Sequence, residues 1–282
     1  MFEPGLLKSK RILISGGGTG LGRAMAERFL ELGATVFICG RRAEVLQQTC
    51  ADLSRNGNSR IRSFVCDVRD SAAVEQMIAS IWQESPLNVL VNNAAGNFIA
   101  KTEELSPRAW DAVLGIVLRG TIHLTMACGR RWLEAGQKGS VLNVSATYAA
   151  SGSGSAYVVP SAVAKAGVLA LTTSLAVEWG GRGIRLNGIA PGPIKTEGAF
   201  SRLLPNLDLE EHARERNPMH RFGTLEEFAN LAAFLVSDEC TYINGETIVM
   251  DGGAWLQGAS GFAEIGQSLS DADWEAMRPG KK

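Results

Sequence analysis

The chain has 282 residues and a formal net charge of −1, and 45% of its residues are hydrophobic while 20% are charged. This balance is typical of a soluble globular protein with a sizeable core, and the charge provides no basic excess for holding nucleic acid or an anionic membrane. Glycine is abundant, at 32 residues, but no Gly-X-Y period accompanies it, so a collagen-like chain is excluded.

Short apolar runs of strand length alternate with longer helical patterns through most of the sequence. The predicted strands cover residues 11–15, 35–39, 61–66, 88–91, 141–144, 184–189 and 246–250. Near-continuous apolar strands separated by helices are typical of a parallel sheet that is covered on both faces. Right-handed crossovers then predict one doubly wound, Rossmann-type α/β domain with a seven-stranded, mainly parallel sheet. The domain is expected to span residues 1–282, with residues 251–282 as an appended C-terminal tail.

Helical periodicity and end signals place helices between these strands. The first helix is predicted over residues 22–32, with an apolar face and Gly33 as its C-terminal stop. Asp70 or Ser71 is expected to cap the helix after the third strand. Residues 224–227 form a Thr-Leu-Glu-Glu capping box that predicts another helix start.

A glycine-rich turn joins the first predicted strand to the first helix. Gly16, Gly20 and Gly22 follow the spacing G-x-x-x-G-x-G. Turns without side chains let backbone N–H groups approach a pyrophosphate, and the helix N-terminus adds a partial positive charge. The residues of this turn expected to bind a dinucleotide are Gly16, Gly18, Thr19, Gly20 and Leu21.

The residues after the second strand indicate which dinucleotide binds. Arg41 and Arg42 stand there, without the carboxylate that NAD-specific dehydrogenases use to hold the ribose hydroxyls. Guanidinium groups can instead clamp the 2′-phosphate of NADP(H). We therefore expect NADP(H), with Arg41 as the stronger candidate; the alternative is that both arginines are solvated residues that begin the next helix.

Polar and small residues follow the third and fourth predicted strands. Asp67 and Val68 come after the third strand, where a carboxylate or carbonyl can accept a hydrogen bond from an adenine amino group. Asn93, Ala94 and Ala95 come after the fourth strand, where small residues let the backbone lie flat against a cofactor ring. All five are expected to contact the cofactor.

These features together resemble the short-chain dehydrogenase/reductase family over nearly the whole chain. The glycine turn, Asp67-Val68 and the block at residues 92–96 carry the likeness, together with residues 191–194 and Asp251-Gly252-Gly253. The resemblance implies a nicotinamide cofactor. It also implies that the nicotinamide lies along Pro191, Gly192, Pro193 and Ile194.

The usual catalytic pattern of that family, Tyr-x-x-x-Lys, is absent. Lys165 matches the family lysine that binds the nicotinamide ribose, but Ser161 stands four residues earlier, where the tyrosine is expected. A serine hydroxyl is too short and too weakly acidic to replace a phenol in proton exchange. Tyr148, at the end of the fifth strand, and Tyr157 are the remaining candidates. Pro160 favours a helix that begins too late to include Tyr157.

This departure resembles the 2,4-dienoyl-CoA reductase branch of the family, and its mitochondrial type most closely. The shared motifs lie at residues 92–99, 148–165, 191–196 and 198–202. The resemblance implies that Tyr148 and Asn97 hold the substrate thioester oxygen, while Lys165 and Ser161 order the cofactor and the hydrogen-bond network. The implied acyl-CoA contacts are Arg69, Phe98, Ser106 and Arg202. Between Tyr148 and Lys165 the chain is two residues longer than that branch, an insertion that can move Tyr148 or bring in Tyr157.

The implied reaction is the NADPH-dependent reduction of a 2,4-dienoyl-CoA to an enoyl-CoA, an auxiliary step of unsaturated fatty acid β-oxidation. Hydride added at the far end of the conjugated thioester sends negative charge to its oxygen, which donors such as Tyr148 and Asn97 stabilise. Two alternatives stay open. One is a carbonyl reductase or alcohol dehydrogenase with Tyr157 or Tyr148 as acid/base and Ser145 assisting, and the other is a non-catalytic NADP-binding protein.

The remaining signals concern metals, compartment and partners. Five cysteines and three histidines stand apart without ligand spacing, so we expect neither a metal site nor a disulfide framework. Residues 1–10 contain no apolar core of signal-peptide length, and we expect that no stretch reaches the roughly 18 apolar residues of a membrane span. We therefore expect a cytoplasmic protein without nucleic-acid or membrane partners. The family resemblance implies a homotetramer built partly from helices around residues 110–132 and 162–180.

Overall fold

A parallel sheet forms the centre of the structure, a computed structural model that describes residues 2–54, 60–149, 155–196, 207–257, 270 and 272. Its strands are β1 (Arg11–Ser15), β2 (Thr35–Gly40), β3 (Ile61–Val65), β4 (Val89–Asn92), β5 (Gly139–Val144), β6 (Ile184–Pro191) and β7 (Thr247–Met250). They lie in the order β3-β2-β1-β4-β5-β6-β7, and every neighbouring pair is parallel. The predicted doubly wound sheet of seven strands is confirmed. Each strand begins and ends within two residues of its predicted bounds.

The direction of the strand order reverses between β1 and β4. These strands are neighbours in the sheet, with Ile14 opposite Val91, although β2 and β3 lie between them in the chain. In open α/β sheets, ligands bind in the crevice outside the carboxyl ends of the strands at such a reversal. The topology therefore directs attention to the loops that follow β1 and β4.

Helices cover both faces of this sheet. They are α1 (Gly20–Glu31), α2 (Ala43–Ser54), α3 (Ser71–Glu84), α4 (Pro107–Leu114), α5 (Gly120–Glu134), α6 (Val159–Gly180), α7 (Leu207–Glu215), α8 (Leu225–Val236) and α9 (Ala254–Gln257). A π-helical turn, Gly115–Arg119, joins α4 to α5. Asp70 caps α3 by accepting hydrogen bonds from the N–H groups of Ala72 and Ala73, and Thr224 and Glu227 form both bonds of the predicted capping box.

The alternation of side chains along β1 shows how the two faces are built. Ile12 and Ile14 point into a core shared with Phe29 of α1. Leu13 points to the opposite face, into a core shared with Trp132 of α5. All five side chains are completely buried. Burial on both faces explains why the strands are apolar throughout rather than alternating with polar residues.

Two helical stretches are unusually apolar. Pro107–Glu134 and Val159–Gly180 are long and apolar enough to cross a membrane by length and composition alone, which corrects the expectation that no stretch reaches that length. In the fold, 56% and 44% of their most apolar windows are buried inside the protein. Helices that pack on a central sheet need such surfaces, which explains their composition.

The predicted C-terminal tail is described only at its start. Asp251 accepts hydrogen bonds from the N–H groups of Gly253 and Trp255 and so begins α9. Beyond Gln257 the structure describes only residues 270 and 272. The tail and the domain boundary stay predictions.

Candidate active site

Ser15 ties the carboxyl end of β1 to the residues that follow β4. Its Oγ accepts hydrogen bonds from the N–H groups of Asn93 and Ala94, both at 3.0 Å. The Asn93 side-chain amide donates to the carbonyl oxygens of Ser15 at 3.0 Å and Gly16 at 3.2 Å. Asn93 thus holds the glycine turn with its side chain. Sequence reasoning did not single out Ser15, for which the only signal is a polar residue ending an apolar strand.

The glycine turn leaves no room for side chains at its critical positions. Gly16 has a φ of +67°, which strains any residue with a Cβ. A Cβ on Gly22 would lie 2.3 Å from the Gly16 carbonyl oxygen, so α1 can start against the turn only with glycine there. Thr19, the N-cap residue, makes no side-chain capping bond, and the first turn of α1 contains no acidic residue. The N–H groups and positive end of α1 are therefore available to an anion.

A cavity of about 640 Å³ extends from this turn across the carboxyl edge of the sheet. The predicted site residues that line it are Gly16, Gly18, Thr19, Arg41, Asp67, Val68, Asn93, Ala94, Ala95, Asn97 and Phe98. The cavity thus brings together residues that follow four neighbouring strands, β3, β2, β1 and β4. Its far wall comes from Ala112, Val113 and Ile116, which sequence reasoning missed because apolar positions on a helix carry no distinguishing signal.

Arg41 and Arg42 both line the cavity and both are exposed. Neither forms an ion pair with a carboxylate in the part of the chain that the structure describes. Nearby, the Thr49 hydroxyl of α2 donates to the Gly18 carbonyl oxygen at 2.9 Å and fixes α2 against the glycine turn. Glycine backbone, an uncapped helix start and two available guanidinium groups fit a phosphorylated dinucleotide.

The other predicted cofactor residues lie beside this cavity rather than in its lining. The segment 191–194 is held at the end of β6, where Gly192 N–H donates to the Met250 carbonyl oxygen at 2.9 Å. It leads to Thr196, whose Cγ2 would lie 3.6 Å from a Cβ on Gly20. The side chain of Leu21 packs against the core. Contacts of these residues with the nicotinamide stay predictions.

Asn97, which lines the cavity, contacts Tyr148, and Tyr148 in turn contacts Ser161. Tyr148 lies in a short helical turn after β5, and its hydroxyl is 2.9 Å from Ser161 Oγ on α6. The Asn97 amide nitrogen donates to the Tyr148 hydroxyl at 3.4 Å, while Asn97 Oδ1 accepts from the N–H of Phe98 at 2.9 Å. That second bond orients the amide so that its N–H₂ faces the phenol. The three predicted side chains therefore form one cluster.

Burial sets the protonation of this cluster. It raises the pKa of the Tyr148 phenol, and the hydrogen bond to Ser161 opposes that shift only in part. The phenol is thus a hydrogen-bond donor that keeps its proton at neutral pH. Lys165, one helical turn after Ser161, is 6% exposed and donates from Nζ to the Val144 carbonyl oxygen. Burial lowers the pKa of Lys165 to about 8.

Comparison with known proteins identifies the family of this chain. Residues 16–254 match the sequence model of a family described as enoyl-(acyl carrier protein) reductase. The chain is 42% identical to the solved structure of a short-chain dehydrogenase from Bacillus anthracis, with a TM-score of 0.79 over 87% of this chain and 96% of that one. The chain belongs to the short-chain dehydrogenase/reductase family.

Two further relatives of this short-chain dehydrogenase/reductase differ in the substrates that their names give. A Bacillus subtilis protein named as a (2E)-enoyl-CoA-producing 2,4-dienoyl-CoA reductase is 46% identical over 89% of this chain and 98% of its own. An Agrobacterium tumefaciens structure with bound NADP, described as a 2-deoxy-D-gluconate 3-dehydrogenase, is 31% identical, with a TM-score of 0.81 over 90% of this chain and 99% of that one. The chain is therefore an oxidoreductase of a family that uses nicotinamide cofactors.

Tyr157 stands apart from the cluster in this member of the family. Its side chain is 57% exposed, its φ is +64°, and its carbonyl oxygen accepts from the N–H of Ala100 at 2.9 Å. Because α6 begins at Val159, Tyr157 does not share a helix with Lys165, as Pro160 had indicated. Tyr148, and not Tyr157, contacts Ser161.

The predicted substrate residues are dispersed. Phe98 packs against a small core beneath α4 and α6. Ser106 is the N-cap of α4, where its Oγ accepts from the N–H of Ala109 at 3.3 Å. Arg69 is paired with Asp67. Arg202 lies outside the described residues, as do the neighbouring motif residues 198–201 and the loop at 150–154.

Two other sequence predictions concern Ser145 and metals. Ser145 is 4% exposed, and its Oγ has no hydrogen-bond partner among the described atoms. No group of three or more His, Cys, Asp or Glu side chains suited to a metal ion occurs within the described residues. All five cysteines are free thiols.

Proposed function

We propose that this protein is an NADPH-dependent 2,4-dienoyl-CoA reductase that forms an enoyl-CoA, an auxiliary step of unsaturated fatty acid β-oxidation. The observation that carries the proposal is the position of the Tyr148 hydroxyl, between Asn97 Nδ2 and Ser161 Oγ. A protonated phenol beside a carboxamide is suited to stabilising negative charge on a thioester oxygen. The names of relatives such as the Bacillus subtilis protein support the same substrate class.

Each polar side chain then has a separate task. The nicotinamide, when bound, supplies a hydride to the far end of the diene. Tyr148 donates its proton toward the thioester oxygen while its own oxygen accepts a hydrogen bond from Ser161. Asn97 uses one N–H on Tyr148 and has a second for the same thioester oxygen. The dienolate is then protonated on carbon by water, and the carbon that takes the proton decides the product isomer.

Lys165 and the arginines serve the cofactor in this proposal. The Lys165 ammonium has three donors, of which one binds the Val144 carbonyl oxygen and two remain for ribose hydroxyls. Arg41 and Arg42 line the cavity and no acidic side chain occupies the end of β2, which supports the assignment of Arg41 to the 2′-phosphate. The NADP in the Agrobacterium tumefaciens structure supports this cofactor choice.

The deciding experiment follows NADPH absorbance with purified protein and a panel of substrates. Oxidation of NADPH with a medium-chain 2,4-dienoyl-CoA, but not with ketones or aldehydes, is the expected result. Turnover of carbonyl compounds, or of sugar alcohols with NADP, would instead support a carbonyl reductase or alcohol dehydrogenase. Binding of NADPH without turnover of any substrate would support a non-catalytic protein. Mass and NMR analysis of the product identifies the isomer.

The homotetramer and the cytoplasmic location also stay proposals. Val163 and Val177 on α6 are 48% and 86% exposed, which leaves an apolar surface that a second copy can cover. Light scattering of the purified protein tests the homotetramer, and a monomer at micromolar concentration would contradict it.

A further inference from the structure

Arg69 holds the carboxylate of Asp67 with three donors. Its backbone N–H donates to Asp67 Oδ1 at 3.0 Å. Its Nε lies 3.0 Å from both carboxylate oxygens, and its Nη2 lies 2.5 Å from Oδ2. A backbone donor and a planar guanidinium together leave the carboxylate little rotational freedom.

The two residues have different surroundings. Asp67 lines the cavity, between Cys66 and Val68, whereas Arg69 does not. The aliphatic stem of Arg69 passes Gly115 in the π-helical turn, where a Cβ would lie 3.4 Å from the Arg69 Cδ. Arg69 chiefly keeps the pKa of Asp67 below its ordinary value, so the carboxylate remains ionised and can only accept hydrogen bonds. An acceptor of fixed orientation therefore faces the cavity.

The Asp67 carboxylate stays open to the cavity while it is bound to Arg69, because its side chain is 31% exposed and lines the cavity. Its four hydrogen bonds to Arg69 come from only three donors, since Nε is shared between the two oxygens, and an amino group in the cavity can compete for that shared position. We propose that Arg69 is a positioning residue that aims Asp67 at the exocyclic amino group of the cofactor adenine. Arg69 thereby makes the site selective for a base with a donor at that position. The inference rests on the proposed dinucleotide site but not on the acyl-CoA substrate.

This role differs from the acyl-CoA contact that the family resemblance implies for Arg69. A residue that only binds acyl-CoA leaves the affinity for NADPH unchanged when no acyl-CoA is present. A residue that positions Asp67 changes the affinity for NADPH even without acyl-CoA. The change is larger for a dinucleotide that carries adenine than for one that carries another base. The two roles are therefore separable by the base of the dinucleotide.

The test is a fluorescence titration of NADPH and of its hypoxanthine analogue, in which a carbonyl oxygen replaces the adenine amino group, without acyl-CoA. The unmodified protein is expected to prefer NADPH. Arg69→Ala should raise the Kd for NADPH by about 5- to 10-fold and the Kd for the analogue by less than about twofold, so that the preference is lost. Asp67→Asn should lose the same preference. Arg69→Lys should retain part of it because an ammonium lacks the planar fork.

Arg62→Ala is the matched control. Arg62 also donates hydrogen bonds to both oxygens of a carboxylate, that of Glu84. Its side chain is 45% exposed, compared with 44% for the side chain of Arg69. It lies near the amino end of β3, away from the cavity, so both Kd values should stay within about twofold of the unmodified protein. Thermal unfolding establishes that each variant is folded. If Arg69→Ala does not fold, the comparison is made with Arg69→Lys instead.

Two results would overturn the inference. The first is an unmodified protein that binds both dinucleotides equally, because Asp67 would then not contact the base. The second is an Arg69→Ala variant that weakens both dinucleotides equally or neither of them, including the case in which only the KM for dienoyl-CoA rises. A protein that binds no NADPH at all would instead refute the proposed function.

Discussion

The hydroxyls of Tyr148 and Ser161 lie 2.9 Å apart, and Ser161 occupies the position, four residues before Lys165, where the family pattern has tyrosine. The phenol therefore reaches this part of the site from the turn after β5 instead of from α6. Burial raises the pKa of the Tyr148 phenol, and the Asn97 carboxamide lies beside its hydroxyl. These properties suit a donor that stabilises charge better than an acid that exchanges a proton.

Asn97 provides a test of that charge stabilisation. Asn97→Asp keeps the oxygen that accepts from Phe98 but replaces the N–H₂ with a second oxygen that faces Tyr148. A negative charge next to the developing dienolate should lower kcat by roughly 10³-fold, and more than Asn97→Ala does. Steady-state kinetics with a dienoyl-CoA measures both variants. A smaller loss for aspartate than for alanine would contradict the assigned donor role.

Replacing Lys165 should stabilise the fold while abolishing activity. The folded protein lowers the pKa of this lysine from 10.5 to about 8, so the unfolded chain binds more protons between those pH values. The charged form thus opposes folding below about pH 8, and the penalty disappears as pH rises toward about 10.5. Lys165→Met should raise the free energy of unfolding by roughly 1–3 kcal/mol near neutral pH.

Urea unfolding near neutral pH and near pH 10 measures this difference. The gain from Lys165→Met should shrink at the higher pH, where the lysine is mostly neutral in the folded protein. A variant that is less stable than the unmodified protein at neutral pH would show that the Val144 bond outweighs the desolvation of the charge.

Arg41 should determine the choice between the two nicotinamide dinucleotides. Arg41→Ala removes a guanidinium from the cavity wall, and we expect the Kd for NADPH to rise by about tenfold or more because a charge-assisted contact is lost. The Kd for NADH, which has no 2′-phosphate, should change by less than about twofold. Arg42→Ala serves as the neighbouring comparison and should have the smaller effect. Equal changes for both dinucleotides would refute the phosphate contact.

Arg185 should contribute to stability without affecting catalysis. Its guanidinium donates to the carbonyl oxygens of Leu235 at 3.2 Å and Ser237 at 3.2 Å, at the end of α8, and to that of Ile243 at 3.0 Å. Arg185→Met leaves these oxygens without their donor and should lower the free energy of unfolding by roughly 2–4 kcal/mol, with kcat unchanged. Chemical denaturation measures this free energy of unfolding, and the control is Arg130→Met, which changes an exposed arginine. A similar loss in both variants would contradict this role.

The sequence predicted the sheet because its signals are local. Apolar runs such as residues 11–15 must be strands buried on both faces, and the capping box at Thr224 fixes a helix start. The glycine turn was predictable for the same reason, since Gly16 and Gly22 meet a steric need within a few residues of each other.

Contacts between distant segments were harder to predict. Asn97 and Tyr148 are 51 residues apart in the chain. From the sequence, only the family resemblance indicated that they share a site. Neither spacing nor periodicity could show that Ala112 faces the cavity. Such placements depend on which partners the fold supplies. The Ser106 cap, by contrast, has a local signal that was missed, since a serine followed by Pro107 is typical of a helix start.

The most direct test of the account compares Tyr148→Phe with Tyr157→Phe on a 2,4-dienoyl-CoA. Both variants remove one phenol oxygen, but only Tyr148 contacts Asn97 and Ser161, while Tyr157 is 57% exposed. We expect Tyr148→Phe to lower kcat by roughly 10²- to 10³-fold with unchanged NADPH affinity, and Tyr157→Phe to stay within about twofold. Full activity in Tyr148→Phe, or the large loss in Tyr157→Phe instead, would contradict the account.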